Sequence, residues 1–193
     1  MGIEFELKYS ANAEQLAAIR QAYSGTYHTY HMETTYYDTA DFSLSDRHIT
    51  LRRRMENDVS VCTVKTPVSE LGRGEWELVC DDIHAAIEQL CNLGAPRELL
   101  YLTAAGISPV CGAKFTRQAL ILEHKDTKLE LALDEGILTG GDKSIPLCEV
   151  EVELKEGDTD TAVAFAQKLA QDFGLTPEKR SKFRRSLSLA RGQ

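Results

Sequence analysis

The segment Glu149-Val150-Glu151-Val152-Glu153-Leu154 alternates charged and apolar residues without a break. Successive side chains of a β-strand point to opposite faces, so the three glutamates share one face and Val150, Val152 and Leu154 the other. The same period recurs elsewhere in the chain. In Ile3 to Lys8, Glu4, Glu6 and Lys8 stand opposite Ile3, Phe5 and Leu7, and further on Lys128, Glu130 and Asp134 stand opposite Leu129, Leu131 and Leu133. Arg52 and Arg54 share a face, Thr63 and Lys65 share another, and Arg73, Glu75 and Glu77 stand opposite Trp76 and Leu78. Each polar face is charged rather than merely hydrophilic.

Helical patterns separate these strands. Asn12 to Tyr23 opens with the capping-box pair Asn12 and Gln15 and repeats Leu16, Ile19 and Tyr23 at helical spacing. Asp82 to Leu93 puts Ile83, Ala86, Ile87, Leu90 and Cys91 on one face and stops at Gly94. Thr161 to Phe173 carries a stripe of Val163, Phe165, Ala166, Leu169 and Phe173 and stops at Gly174, and a shorter helix is expected over Arg97 to Ala105. Turns are predicted at Asn57-Asp58, Leu71-Gly72, Asp134-Glu135-Gly136 and Gly140-Gly141-Asp142. Short turns and few long crossovers predict a mostly antiparallel sheet.

Which way the charged faces look decides the architecture. If they faced solvent, the apolar faces would fill the interior and the helices would have little left to cover; a lipocalin-like carrier of apolar ligands is disfavoured on this ground. Charges turned inward let the helices pack on the apolar outside. The expected fold is therefore α+β: an antiparallel eight-stranded β-barrel with helices packed outside and a charged lumen, since about eight strands can enclose a ligand cavity. Buried carboxylates of like sign repel unless cations neutralise them, so such a lumen implies a metal and an anionic ligand.

Composition narrows the function. A chain of 193 residues with 42% hydrophobic residues suits one core, predicting a single domain over 1–193. The net charge of −8 argues against a nucleic-acid or membrane-surface partner, which need a positive footprint. MGIEFELKYS resembles neither a signal peptide nor a transit peptide, and no run of about 18 apolar residues occurs, which predicts a soluble cytoplasmic protein, monomeric or homodimeric. Cys62, Cys80, Cys91, Cys111 and Cys148 form no CxxC pair and read as small buried hydrophobes. The histidines show no ligand spacing.

Glu4, Glu6, Glu149 and Glu151 offer hard oxygen ligands without His or Cys, which selects Mg2+ or Mn2+. Lys8, Arg52, Arg54 and Lys65 supply the opposite charge, and Arg forks match phosphate oxygens. There is no Walker-type glycine loop, so side chains rather than backbone amides would cradle the phosphates.

At this level of detail the chain resembles the CYTH superfamily of triphosphate tunnel metalloenzymes, which includes thiamine triphosphatases, class IV adenylyl cyclases and bacterial inorganic triphosphatases. Glu4-Phe5-Glu6-Leu7-Lys8 resembles the family's ExExK step, Tyr36-Tyr37-Asp38-Thr39 its YYDT step, Leu51 to Arg54 its LRxR strand and Thr63-Val64-Lys65 its TxK strand. Arg73-Gly74-Glu75, Phe115-Thr116-Arg117, Ala132 to Gly136, Glu149 to Leu154 and Ser181-Lys182 follow in the family's order. The resemblance implies that Glu4, Glu6, Glu149 and Glu151 hold metal, with Asp134 and Glu153 as further participants. It implies that Lys8, Arg52, Arg54, Lys65, Arg117 and Lys182 bind triphosphate, with Lys8, Lys65, Glu75 and Lys182 as the catalytic set and Glu75 orienting basic groups or water. Parity leaves open which two of Glu149, Glu151 and Glu153 touch metal.

The likeness is nearest to short bacterial inorganic triphosphatases, and the helical phosphate-binding domain of some longer relatives is not expected after this segment. The expected function is hydrolysis of inorganic triphosphate to pyrophosphate and phosphate. Thiamine triphosphate or ATP on the same fold, or non-catalytic binding of polyphosphate or nucleotide, are the alternatives. Tyr36 and Tyr37 read equally well as strand aromatics packed on a helix, and Lys179 to Arg185 as a solvated basic tail in which only Lys182 belongs to the site.

Overall fold

A computed structural model of the chain describes residues 5–67 and 73–192. Glu4 and the Leu71-Gly72 turn lie outside the described residues. The chain opens with β1 (Glu6–Ser10), α1 (Ala13–Ala22) and β2 (His28–Asp38), then a single helical turn, α2 (Ser43–Asp46). A meander follows: β3 (Thr50–Glu56), β4 (Val59–Pro67) and β5 (Arg73–Val79). After α3 (Ile83–Asn92) and α4 (Glu98–Leu102) come the long strands β6 (Ser108–His124), β7 (Thr127–Gly140) and β8 (Lys143–Glu156). The chain closes with α5 (Thr159–Phe173), the short β9 (Thr176–Pro177) and α6 (Lys182–Ala190).

Local chemistry sets these boundaries. Asn12 caps α1 through a complete capping box with Gln15, Asp82 caps α3 and Asp158 caps α5. Gly174 ends α5 in the left-handed region at φ 65°, where a Cβ would be strained. The β6–β7 hairpin turns on Lys125 and Asp126, both at positive φ, as a tight two-residue hairpin with the sheet's twist requires.

The strands form one antiparallel sheet in the order β5-β4-β3-β2-β6-β7-β8-β1-β9. The antiparallel, barrel-type sheet is the one expected from the sequence. It has nine strands rather than eight, the ninth only two residues long, and among the described residues no hydrogen-bonded ladder joins β5 to β1 or β9.

Register puts the charged residues on one face, as the alternation predicts. Directly paired residues share a face: Lys8 pairs with Glu151, Glu6 with Glu153, and Glu149 with Asp134, which pairs in turn with Arg117. In the other half Arg52 pairs with Thr63 and Lys65 with Glu75. The opposite, apolar face carries the helices. Leu129, Leu131, Val150 and Val152 pack with Leu16 and Ile19 of α1 and with Phe165 and Leu169 of α5. Leu51, Cys62, Val64 and Trp76 pack under Ile83, Ile87 and Leu90 of α3 and Leu99 of α4. Cys62, Cys91 and Cys111 are buried, whereas Cys80 and Cys148 are partly exposed.

Two expectations change. Asp134-Glu135-Gly136 is not a turn but the middle of β7. Gly136 is there for proximity, because a Cβ at that position would collide with the backbone of Lys114 and Phe115 on β6. Nor are all helices outside. The stretch read as a basic tail forms α6, capped by Ser181, and lies on the charged face against β6, β7 and β8. Phe183 and Leu187 pack on Tyr36 of β2 and Cys111 of β6, and Gly140 of β7 lets the α6 backbone approach so closely that a Cβ would stand 2.6 Å from the Ala190 nitrogen.

Candidate functional site

The charged face has two walls. On β7 and β8, Asp134, Glu149 and Glu151 are all buried and bring one oxygen each within 4.8 Å of one another. Their charge is met by three cations. Lys182 of α6 stands among them, with its Nζ 2.8 Å from Asp134, 2.7 Å from Glu151 and hydrogen-bonded to Glu149. Arg117 of β6 grips Asp134 with two parallel bonds of 2.8 Å and also donates to Glu151. Arg185, one turn along α6 from Lys182, donates to the other Glu149 oxygen.

Burial and charge pull these groups in opposite directions. Burial disfavours the Lys182 ammonium, but Asp134, Glu151 and Glu149 together outweigh it and raise its pKa. For Arg117 burial is likewise overcome, by Glu151 and Asp134, and its pKa rises. Glu151 would be raised by burial, yet Lys182 and Arg117 hold it well below the ordinary carboxylate range. Glu149 is the exception. Burial is its largest influence and pushes it up to about 7, with Glu151 adding repulsion that Lys182 and Arg185 do not cancel.

The second wall is basic. Glu75 of β5 accepts from Lys65 at 3.2 Å and lies 3.5 Å from Arg52. Arg54 is held by the Thr34 hydroxyl at 3.1 Å and by Glu56 at 3.5 Å. Burial, with Arg52 and then Arg117 nearby, lowers the Arg54 pKa. The Arg52 Nε and the Thr63 hydroxyl are buried and, among the described residues, have no hydrogen-bond partner, as is true of the Arg185 Nε on the acidic side. Unmet buried donors are costly, and two of them in one register row among cations fit an anionic ligand with several acceptor oxygens.

The sequence-predicted residues therefore separate into groups. Asp134, Glu149, Glu151, Arg117 and Lys182 come together, and Arg52, Arg54, Lys65 and Glu75 line the facing wall. Lys8 and Glu6 form their own pair at 2.7 Å on β1. Glu153 stands one step away from the acidic cluster, 2.8 Å from Lys155, which also reaches Glu130. Of the three glutamates on β8, Glu149 and Glu151 are thus the pair that clusters with Asp134. Arg185 was missed. Its signal was present in the spacing of Lys182 and Arg185, three apart, beside Phe183 and Leu187, four apart, after a Ser181 cap.

The chemistry of the acidic cluster suits a divalent cation. Its donors are carboxylate oxygens without sulfur or imidazole, as Mg2+ or Mn2+ prefer. Lys182 sits among the same oxygens, so an ion bound there competes with, or displaces, that ammonium.

These features define an α+β protein whose antiparallel sheet curls around a lumen with one acidic and one basic wall. The chain matches the CYTH domain over residues 2–187 and belongs to that family. The inorganic triphosphatase of Haemophilus influenzae is 29% identical over 167 residues, covering 82% of this chain and 46% of that protein. The chain thus spans less than half the length of that relative. HpAC1 from Hippeastrum, a candidate adenylyl cyclase described as having a dominant triphosphatase activity, superposes with a TM-score of 0.67 at 18% identity, covering 98% of this chain and 95% of its own. The PH1819 protein of Pyrococcus horikoshii superposes with a TM-score of 0.60 at 22% identity, over 97% and 99% of the two chains. At these identities the two structures speak for the fold alone. No helix among the described residues is long and apolar enough to cross a membrane.

Proposed function

We infer that the chain is a metal-dependent triphosphatase that cleaves inorganic triphosphate to pyrophosphate and orthophosphate on its charged inner face. The observation that carries this reading is the basic wall, where the buried Arg52 Nε and Thr63 hydroxyl are without partners among the described residues, beside Lys65 and Arg54. The Haemophilus relative supports the choice of substrate.

Arg52, Arg54 and Lys65 would hold phosphoryl oxygens, and Glu75 would fix Arg52 and Lys65 so that their charge is in place before the reaction. Lys8, in register with Glu151, would add positive charge on the acidic side. Asp134, Glu149 and Glu151 would hold Mg2+ or Mn2+, with Glu6 and Glu153 at the next register step. A divalent cation there supplies charge neutralisation and a more acidic water. Water adds to a terminal phosphorus, the bridging P–O bond breaks with its electron pair going to pyrophosphate, and the proton leaves with the products. Cleavage of this kind depends mainly on positioning and charge.

The test is orthophosphate release from inorganic triphosphate with and without Mg2+ or Mn2+, beside ATP and thiamine triphosphate. Metal-dependent release from triphosphate is expected. Preference for an organic triphosphate would move the substrate, and binding without release from any of the three would make the protein a binder rather than a hydrolase.

A further inference from the structure

On the far side of α6 from the acidic cluster lies a cavity of about 480 Å3 that the triphosphatase reading does not use. It is open to solvent and is lined by the outer face of α6, by α2 and by Thr50 at the start of β3. Thr50 is paired with Lys65, so the cavity meets the inner face at the end of the basic wall. A volume of this size lies within the range of ordinary ligand sites.

Its lining is cationic. Arg191 is held by Asp46 at 3.2 Å and lies 4.3 Å over the Phe42 ring, and Arg180 at the rim pairs with Glu178 at 3.1 Å. Arg184 differs from both. Among the described residues no carboxylate pairs with its guanidinium, whose NH2 instead faces the His48 Nδ1 at 3.5 Å, across 136 positions of sequence. A guanidinium and an imidazole at that spacing can share one oxyanion between them when the ring is protonated, because both ring nitrogens are then donors.

The wall opposite α6 is built, not loose. The buried Asp38 carboxylate accepts from the backbone nitrogens of Thr39, Leu44 and Ser45 at 2.8–3.0 Å and from the Ser45 hydroxyl, fixing α2 in place. Phe42 and His48, the residues flanking that turn, both stand in the left-handed region at φ 60° and 59°. Non-glycine residues adopt that conformation at a cost and where the surroundings over-determine it. Here it turns the Phe42 ring under Arg191 and the His48 ring toward Arg184.

We propose that the cavity between α2 and α6 is a second oxyanion site, taking a phosphate group between Arg184 and His48, separate from the site between the two walls. The phosphate can be a free anion or the end of a longer chain reaching in past Thr50.

The test titrates metal-free protein at constant ionic strength with orthophosphate, and in a second arm with linear tetraphosphate, while NMR follows the His48 ring, assigned with His48→Gln. A saturable His48 shift is expected, weakened roughly tenfold or more in Arg184→Gln. Arg184 is exposed, so its replacement spares the fold. A response to orthophosphate identifies a free anion, and a response to tetraphosphate alone identifies the end of a chain. No shift with either anion, or a shift undiminished in Arg184→Gln, overturns the proposal. Arg52→Gln should leave the orthophosphate response at His48 intact, and losing it would show that the cavity is not a separate site. Cleavage is not part of the readout, so failure of the triphosphatase reading leaves this result standing.

Discussion

The two walls of the inner face are charged in opposite senses and solve the problem of burial differently. The acidic wall is neutralised from within: Asp134, Glu149 and Glu151 face Lys182, Arg117 and Arg185, cation for carboxylate. On the basic wall, among the described residues, Glu75 serves both Arg52 and Lys65, and the Arg52 Nε and the Thr63 hydroxyl find no partner, as is true of the Arg185 Nε on the acidic side. The contrast fits an anionic ligand on the basic side, while on the acidic side the carboxylates are met by the protein's own cations.

Removing Lys182 should break this contrast most severely. Lys182→Met leaves three buried carboxylates short of a cation, and a broken buried pair costs about 3–5 kcal/mol. Urea unfolding without metal should show that loss, and Mn2+ should restore more stability to the variant than to the wild type. Equal Mn2+ stabilisation of both would mean that Lys182 and metal do not compete.

Arg52→Gln tests the other wall. It should leave unfolding nearly unchanged but raise KM for triphosphate about 10- to 100-fold, the worth of a charged hydrogen bond of about 1.5–3 kcal/mol. A stability loss as large as that of Lys182→Met would show that Arg52 serves the fold.

Gly140→Ala sharpens the role of α6. The added methyl meets the helix backbone at Ser186 and Ala190, and overpacking of this kind costs about 1–3 kcal/mol. Hydrogen exchange should quicken in α6 while α3 and α5 keep their protection.

The smallest effect is in pH. Glu149 has its pKa raised to about 7 from 4.5, so between those values the folded protein holds a proton that the unfolded chain has released. Its contribution to stability therefore falls as pH rises through that window. Glu151 is lowered and is ionised in both states there, so its stabilising share is lost only at more acid pH. Glu149→Gln should remove the decline between about pH 5 and 7 seen in the wild type.

Much of this could be read from the sequence because a strand's side-chain period is two. Parity alone sorted Glu149, Glu151, Arg52, Arg54 and Lys65 onto the charged face, and the capping residues Asn12, Asp82 and Gly174 marked helices close to their observed ends. Parity cannot say where along a strand two residues meet. Register was needed to separate Glu153, beside Glu6 and Lys155, from the pair that meets Asp134. Local signals also misled at Asp134-Glu135-Gly136, where glycine serves a close strand contact and not a bend. The basic C-terminal run was misread because charge suggested solvent, although Phe183 and Leu187 carried the period of a helix with one buried face.

The most direct measurement is Mn2+ binding followed by electron paramagnetic resonance, with and without imidotriphosphate, an analogue with nitrogen in place of the bridging oxygens. If the basic wall awaits an anion and the acidic wall is closed by Lys182, Mn2+ should bind weakly alone and at least tenfold more tightly with the analogue, and Arg52→Gln should erase the gain. Tight Mn2+ binding that is indifferent to the analogue would contradict the joint filling of the two walls.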